Sequence, residues 1–371
     1  MKTYLLRLSA DQSETKGNWR TLPETPNATG NEGETTQLHA EVESVPVFAA
    51  GHQLSGALTG ARRCIGSQQL QPDGTFAYVP CRTARIITKG KQCFPCSRAD
   101  ESRLIHHTPR EKASPALIKY LDVPHFLYVA GFADGTWKVG TSRLARGENR
   151  WVEQGAVVAI RVAQYEDGWQ VRAAEDATST NLDFTQAVRS SRKAKSFLPQ
   201  TSLSELVLAA CEKATEVKNF LQGQAPDEEM DLFAPLALGK QSSPETNPEL
   251  AGVTPEPLNQ DSAGAKLFAE TLKNQAAKTN GRATANQGTE WDWIIENQLG
   301  WANPAAQPWL DKPLTALPKG TLNYPQTWQI EAVFGPTAIL RSLDDEHGEG
   351  QVVDLGALIS QEWELNLPAS H

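Results

Sequence analysis

Between His125 and Gly140 the chain reads HFLYVAGFADGTWKVG, and this stretch restricts the fold more than any other. Phe126, Leu127, Tyr128 and Val129 are β-formers, Ala133-Asp134-Gly135 carries turn chemistry, and Thr136, Trp137, Lys138 and Val139 resume an extended run. The pattern predicts two short antiparallel strands around a tight turn. Leu144 to Gly155 then reads as a short helix stopped by glycine, with Arg146 and Arg150 four apart on one face. Ala156 to Val162 is β-branched and apolar and predicts a third strand, and Gly168 to Glu175 opens a second helix carrying Glu175.

Upstream stand Cys64, Cys81, Cys93 and Cys96, the last two as Cys93-Phe94-Pro95-Cys96. A Cys-x-x-Cys knuckle directs two thiolates at one tetrahedral ion, and two further cysteines close a structural zinc site. Sixteen residues separate Cys64 from Cys81, so only half of the usual spacing is present, and His106 or His107 could replace one ligand. A disulfide pair, a redox dithiol and four reduced cysteines packed in a core are the competing readings. Met1 to Arg7 holds too short an apolar run for a signal peptide, which favours a reducing cytoplasmic setting and a metal. Cys211 falls on the apolar stripe of Leu203, Leu206, Val207, Ala210, Ala214 and Val217, the place of a small core residue.

The net charge of -9 argues against a nucleic-acid ligand only until its distribution is considered. Residues 61–200 carry 21 basic against 13 acidic side chains, and the remainder 14 against 31. Arg82, Arg85, Lys89, Lys91, Arg98, Arg103 and Arg110 crowd around the cysteines, the footprint of a phosphate clamp or of a solvated basic face. No segment has the length and apolarity of a membrane span.

Five stretches follow from composition. Residues 1–60 hold a first strand from Thr3 to Leu8, a polar loop from Gln12 to Thr36, and strands from 43–60 that can join a distant sheet. Residues 61–112 form the cysteine-rich ribbon. Residues 113–223 form the hairpin domain, closed by an amphipathic helix that Ser202-Leu203-Ser204-Glu205 begins as a capping box. Residues 224–288 are a flexible linker rich in Pro, Gln, Asn, Ala and Glu, with one helix over Ala263 to Ala277. Residues 289–371 are β-rich, with strands at Trp328–Val333, Thr337–Arg341 and Gly350–Leu355, and tryptophans better read as core than as base-stacking platforms.

The order of hairpin, arginine helix, strand and glutamate helix resembles the GIY-YIG nuclease superfamily. There a tyrosine on each hairpin strand faces the scissile phosphate, and a glycine lets the backbone approach it. Tyr128 matches the first tyrosine, and Lys138 stands at the place of the second. Arg150 to Ala156 following Lys138-Val139-Gly140 also resembles a narrower, uncharacterised prokaryotic family of unknown function, in which a cysteine-rich ribbon precedes a GIY-YIG-like unit. The resemblance implies an α+β chain. Its parts are a small zinc ribbon, a three-stranded antiparallel GIY-YIG-like sheet with flanking helices, and a β-rich domain built from the C-terminal and N-terminal segments.

The resemblance also implies roles. Glu175 would hold Mg2+ or Mn2+, hard ions that prefer oxygen ligands. Arg146 or Arg150 would pin the phosphate through a planar, permanently charged fork. Tyr128 would orient or deprotonate water, which needs a neighbouring cation or metal to lower a phenol pKa near 10. Lys138 can hold phosphate, and serves as a base only if desolvation lowers its pKa by several units. Three functions stay open: a metal-dependent endonuclease hydrolysing phosphodiesters of DNA or RNA, a zinc-containing nucleic-acid binding protein without turnover, and a protein-interaction scaffold. Strand type and oligomeric state are not legible.

Overall fold

The computed structural model of the chain describes residues 2–11, 14–22, 49–223, 250, 252–259, 261–279, 291–344 and 348–365. Most of the expected linker and of the N-terminal polar loop lies outside them. In chain order come β1 (Lys2–Asp11), β2 (Glu14–Thr21), β3 (Gln53–Arg62), β4 (Ser67–Leu70) and β5 (Phe76–Val79). Helices α1 (Phe94–Ala99), α2 (Leu104–His107) and α3 (Pro115–Leu121) lead to the hairpin strands β6 (His125–Gly131) and β7 (Trp137–Arg143). After α4 (Asn149–Gln154) and β8 (Val158–Tyr165) stand α5 (Gly168–Asn181), α6 (Ser190–Lys195), α7 (Leu203–Leu221), α8 (Ala263–Thr279) and α9 (Asp292–Glu296). The chain continues with β9 (Gly300–Ala302), β10 (Thr315–Ala316), β11 (Gln326–Phe334), β12 (Thr337–Ser342), β13 (Gln351–Asp354), α10 (Leu355–Leu358) and β14 (Gln361–Leu365). The protein is thus mixed α/β, and no described helix is long and apolar enough to cross a membrane.

The hairpin forms as its residues demand. Phe132 to Thr136 closes the turn, with Gly135 at φ +74° and the Asp134 carboxylate accepting from the Thr136 N–H at 3.0 Å. Strand β6 pairs β7 from His125 opposite Arg143 to Gly131 opposite Trp137. It pairs β8 on its other side, with a bulge between Leu127 and Tyr128. Both faces of this sheet are covered, which is why every residue of β6 is buried and alternation is lost there. Leu127, Val129, Val139 and Ile160 pack with Val207, Ala210, Cys211 and Ala214 of α7. Phe126, Tyr128, Ala130 and Ala159 pack on the opposite face with Trp151 and Trp301. Fully burying one such large side chain contributes about 1.5–3 kcal/mol.

The sheet has four strands where three were expected, in the order β7-β6-β8-β9. Ala302 pairs with Val158, Trp301 with Ala159 and Gly300 with Ile160, so three residues from far along the chain cover an apolar edge. Trp301 is fully buried, its ring 5.6 Å from that of Trp151. A second sheet of eight strands runs β10-β13-β12-β11-β3-β14-β1-β2 and unites both chain ends. Part of the segment expected as a polar loop is therefore strand β2, paired along β1. Trp19, Trp328 and Trp363 lie in the core of this second sheet.

The expected single helix from Leu144 to Gly155 is broken. A 3-10 turn over Leu144–Arg146 ends at Gly147 (φ +49°), and α4 starts two residues later, ending at Gly155 in the left-handed conformation. Ser202 does precede α7, but its hydroxyl pairs with that of Ser204 at 2.6 Å instead of capping the helix.

Candidate functional site

Strands β4 and β5 form a small ribbon that brings the cysteines together. Cys64 lies beyond β3, Cys81 follows β5, and Cys93 caps the N-terminus of α1, whose first turn carries Cys96. All four sulfurs lie within 4.8 Å of one another, and every cysteine of the chain is a free thiol. Thiolates about 2.3 Å from a tetrahedral zinc are about 3.8 Å apart. Cys81 Sγ and Cys93 Sγ, at 4.0 Å, are already close to that edge.

The backbone is arranged for thiolate. The N–H groups of Cys93 and Gly66 donate to Cys64 Sγ at 3.1 and 3.5 Å. Burial pushes the Cys81 thiol up, but hydrogen bonds from the Arg85 and Thr83 backbone outweigh it and bring the thiol down to about 6. Four cysteines so placed could hold a metal ion such as zinc. Neither His106 nor His107 joins them; both lie elsewhere.

That other place is a cleft of about 510 Å³ beside β7, whose outer edge meets Thr185 through a bridge at Lys138 and the Val139 N–H, and it is lined by Lys138, Thr141, Arg150, Glu175, His106 and His107 among others. Because β7 is an edge strand, side chains leaving either of its faces meet around it. Thr141 donates to Glu175 Oε2 at 3.4 Å, and Lys138 Nζ donates to the Gln186 carbonyl at 2.8 Å. Arg150 arrives from α4, and Glu175 from α5. The N-terminus of α5 is fixed by Asp167, whose carboxylate accepts from the Trp169 and Gln170 N–H groups at 2.8 Å each.

Two of the expected residues are placed differently. Tyr128 sits behind the cleft, with no exposed surface, between Phe126 and Trp151 at ring distances of 5.9 and 6.1 Å. Burial raises its pKa, with Arg150 opposing, so this phenol is neither exposed nor acidic enough to take a proton from water. Its hydroxyl faces Gly140: a Cβ built on that glycine falls 2.6 Å from Tyr128 Oη. Arg146 pairs with Glu153 and does not line the cleft. The break at Gly147 removes the shared helical face that the spacing of Arg146 and Arg150 had suggested.

The cleft is rich in cations held out of water. Burial, aided by Arg150 and opposed by Glu175, brings the Lys138 ammonium down to about 8. Just behind, Lys193 donates to Gln154 Oε1 at 3.0 Å, and burial beside Lys138 and Arg150 brings it down to about 7. Burial likewise raises the Glu175 carboxyl, against the pull of Lys138. Arg150 Nε and Tyr128 Oη are buried with no hydrogen-bond partner among the described residues. Neither Lys138 nor Arg150 has an ion-pair partner among those residues. Cations with unused donors in a low-dielectric cleft favour an anion that can accept several hydrogen bonds.

The two imidazoles were read only as spare zinc ligands. The structure delivers them to the cleft because the segment after the ribbon is latched onto α5. Arg172 donates to the Ile105 carbonyl, Trp169 Nε1 to the Thr108 carbonyl at 3.2 Å, and Arg110 pairs with Asp167 at 3.0 Å. Burial and the nearby Arg172 and Arg150 lower the His106 pKa, leaving this ring neutral near pH 7. The seven basic residues named around the cysteines are all exposed; Arg82, Arg85, Lys89, Lys91, Arg98 and Arg103 lie on the ribbon or just after it, and Arg110 is the one paired with Asp167.

Comparison with known families locates these parts within one unit. Residues 51–234 match the model of a family described as a protein of unknown function (DUF2797). The matched segment runs from β3 through α7, so it takes in the four-cysteine ribbon, the hairpin and every cleft residue named above. No curated protein and no solved structure matches the chain.

Proposed function

We propose that this chain is a metal-dependent phosphodiesterase of GIY-YIG type that acts as an endonuclease on DNA or RNA, with the ribbon stapled by zinc. The observation that carries this reading is the meeting of Lys138, Arg150 and Glu175 in one cleft beside the outer strand of an antiparallel hairpin. Arg150 is the phosphate ligand, because its donors are incompletely used, and Lys138 adds a second positive charge. Glu175 would hold a Mg2+ or Mn2+ ion, whose chemistry is to polarise the phosphoryl group and activate water. Lys138 and Arg150 beside it offset part of the cost of burying that carboxylate. Tyr128 and Arg146 act in positioning only, the first by filling the space behind Gly140 and the second by bracing α4 through Glu153.

A second reading, nucleic-acid binding without turnover, is favoured by one observation. The first tyrosine is sealed and a lysine replaces the second, so no phenol reaches the cleft. Incubating the protein with labelled single-stranded and duplex DNA and RNA in Mg2+, in Mn2+ and in EDTA separates the two. Cleavage that Glu175→Gln abolishes while binding persists supports the endonuclease. Binding without cleavage under every condition selects the second reading, and absence of both removes nucleic acid as the partner.

A further inference from the structure

The ribbon carries a feature that the cleft does not use. Phe94, inside the Cys93–Cys96 knuckle, exposes 76% of its surface, and Ile86 on the preceding loop exposes 59%. A phenyl ring so exposed loses the hydrophobic stabilisation of burial unless something covers it. Several basic side chains stand on the same ribbon. Arg98 lies four residues on along α1, on the same face as Phe94. Arg82 adjoins Cys81, whose sulfur is 4.0 Å from that of Cys93, the neighbour of Phe94. Arg85, Lys89 and Lys91 stand on the loop whose backbone closes over Cys64 and Ile65. None of these cations takes part in an ion pair among the described residues.

We infer that the ribbon is a docking surface for single-stranded nucleic acid, with one unpaired base stacked on Phe94 and the flanking phosphates held by Arg82, Arg85 and Arg98. The charge fixes the class of partner, since a polyanion complements unpaired cations. The ring fixes the strand state. A duplex keeps its base faces inside its own stack and would meet only the cations, whereas an unpaired base offers a face to an aromatic platform. A metal held by the four cysteines below the knuckle would keep the platform rigid, so that little ordering entropy is lost when a base lands on it. This inference rests on the nucleic-acid reading given above and specifies its substrate as unpaired strand.

The test uses the full chain carrying Glu175→Gln, so that no substrate is cut, and follows fluorescence anisotropy of a short fluorescein-labelled mixed-sequence single strand and of its duplex. The parent is expected to bind the single strand more tightly. Phe94→Ala should weaken single-strand binding by roughly 5- to 150-fold, the range of one base–aromatic stack, with a smaller effect on duplex. Phe94→Trp should restore it, and thermal melting checks that both variants fold. Equal single-strand affinity of Phe94→Ala and parent overturns the inference. So does an equal loss on duplex, or a Phe94-dependent affinity for an acidic polyglutamate peptide in place of the oligonucleotide. If Phe94→Ala is neutral while the unmodified chain still cleaves, only this inference falls. If no oligonucleotide is bound or cut by any form, the nucleic-acid reading falls with it.

Discussion

Gly140→Ala separates two explanations for the glycine that ends the hairpin. In the GIY-YIG resemblance this glycine lets the backbone approach a phosphate; in the structure it makes room for a phenol. An alanine Cβ would lie 2.6 Å from Tyr128 Oη, 2.7 Å from its Cζ and 3.0 Å from Lys138 Cε. The tyrosine is directly opposite in the strand pairing and cannot retreat, because Phe126 and Trp151 hold its ring and all three are fully buried. Overpacking of this kind costs about 1–3 kcal/mol, and alanine recovers about 0.4–1 kcal/mol by restricting the unfolded chain. The φ of Gly140 is not in the left-handed region, so no backbone strain is added. The net expectation is a loss of about 1–2 kcal/mol, read as a lower urea midpoint at unchanged slope. Tyr128→Phe deletes the nearest atom, a buried hydroxyl beside the Arg150 guanidinium that makes no hydrogen bond of good geometry, and should cost little alone. Combined with Gly140→Ala it should return about half of the loss, a coupling of roughly 1 kcal/mol. Full stability of Gly140→Ala, or strict additivity in the cycle, would refute the steric argument. A variant as stable as the parent but unable to bind oligonucleotide would point to the phosphate explanation instead.

Other perturbations test the remaining parts. Cys93→Ser, or a zinc chelator, should destabilise residues 61–112 because metal binding supplies folding free energy there; metal analysis and hydrogen exchange report it, and a ribbon equally protected without metal contradicts it. Lys193 and Lys138 titrate near 7 and 8 in the folded chain and near 10.4 when unfolded, so between about pH 7 and 10.4 the unfolded state binds more protons. Stability should therefore rise with pH across that window, and Lys193→Met should flatten the rise in urea midpoints; an unchanged slope excludes Lys193 as a source. His106→Ala should lower turnover roughly 100-fold or more if the ring moves a proton, with little change in melting because the ring lines the cleft and still reaches solvent. Unaltered turnover would make His106 a bystander.

The legible parts of this chain are those with local periodicity or local turn chemistry. The β6–β7 hairpin, β8, α5, α7 and the strands β11 to β13 each carry their pattern within one short window. The set of Lys138, Arg150 and Glu175 was visible for the same reason, since each sits at a defined place on one of those elements. What could not be read depends on distant pairing. Gly300-Trp301-Ala302 is too short to show any period, yet it completes the hairpin sheet against Val158, Ala159 and Ile160. The sealing of Tyr128 depends on Trp301 as well as on Trp151. One misreading had a local signal: Gly147 marks the break that separates Arg146 from Arg150. The start of α5 at Gly168 was legible, and Asp167 is the N-cap that fixes it and hence the place of Glu175.

Asp167 ties the chain leaving the ribbon to the helix that carries the cleft carboxylate. Its carboxylate caps α5 through the Trp169 and Gln170 N–H groups and at the same time holds Arg110, whose guanidinium lies 5.0 Å from the Trp169 ring. One turn further along the same helix, Arg172 reaches the Ile105 carbonyl, and Glu175 follows on the next. The helix that carries the carboxylate of the cleft is therefore also the helix that receives the chain leaving the cysteines. A half-exposed ion pair alone is worth little, but here it acts with a cap, a ring contact and two carbonyl bonds on one short segment. Loosening that segment would withdraw His106 and His107 from the cleft, while the ribbon stays tied to the hairpin domain through Phe76 on Tyr120 and Lys119 on the Pro72 carbonyl. Substitution of Asp167 by alanine should accordingly cost more than the roughly 1 kcal/mol of a lost cap, and should raise hydrogen exchange at residues 104–110 together with the first turn of α5. Exchange confined to α5 would mean that residues 104–110 are held in place by contacts other than Arg110 with Asp167.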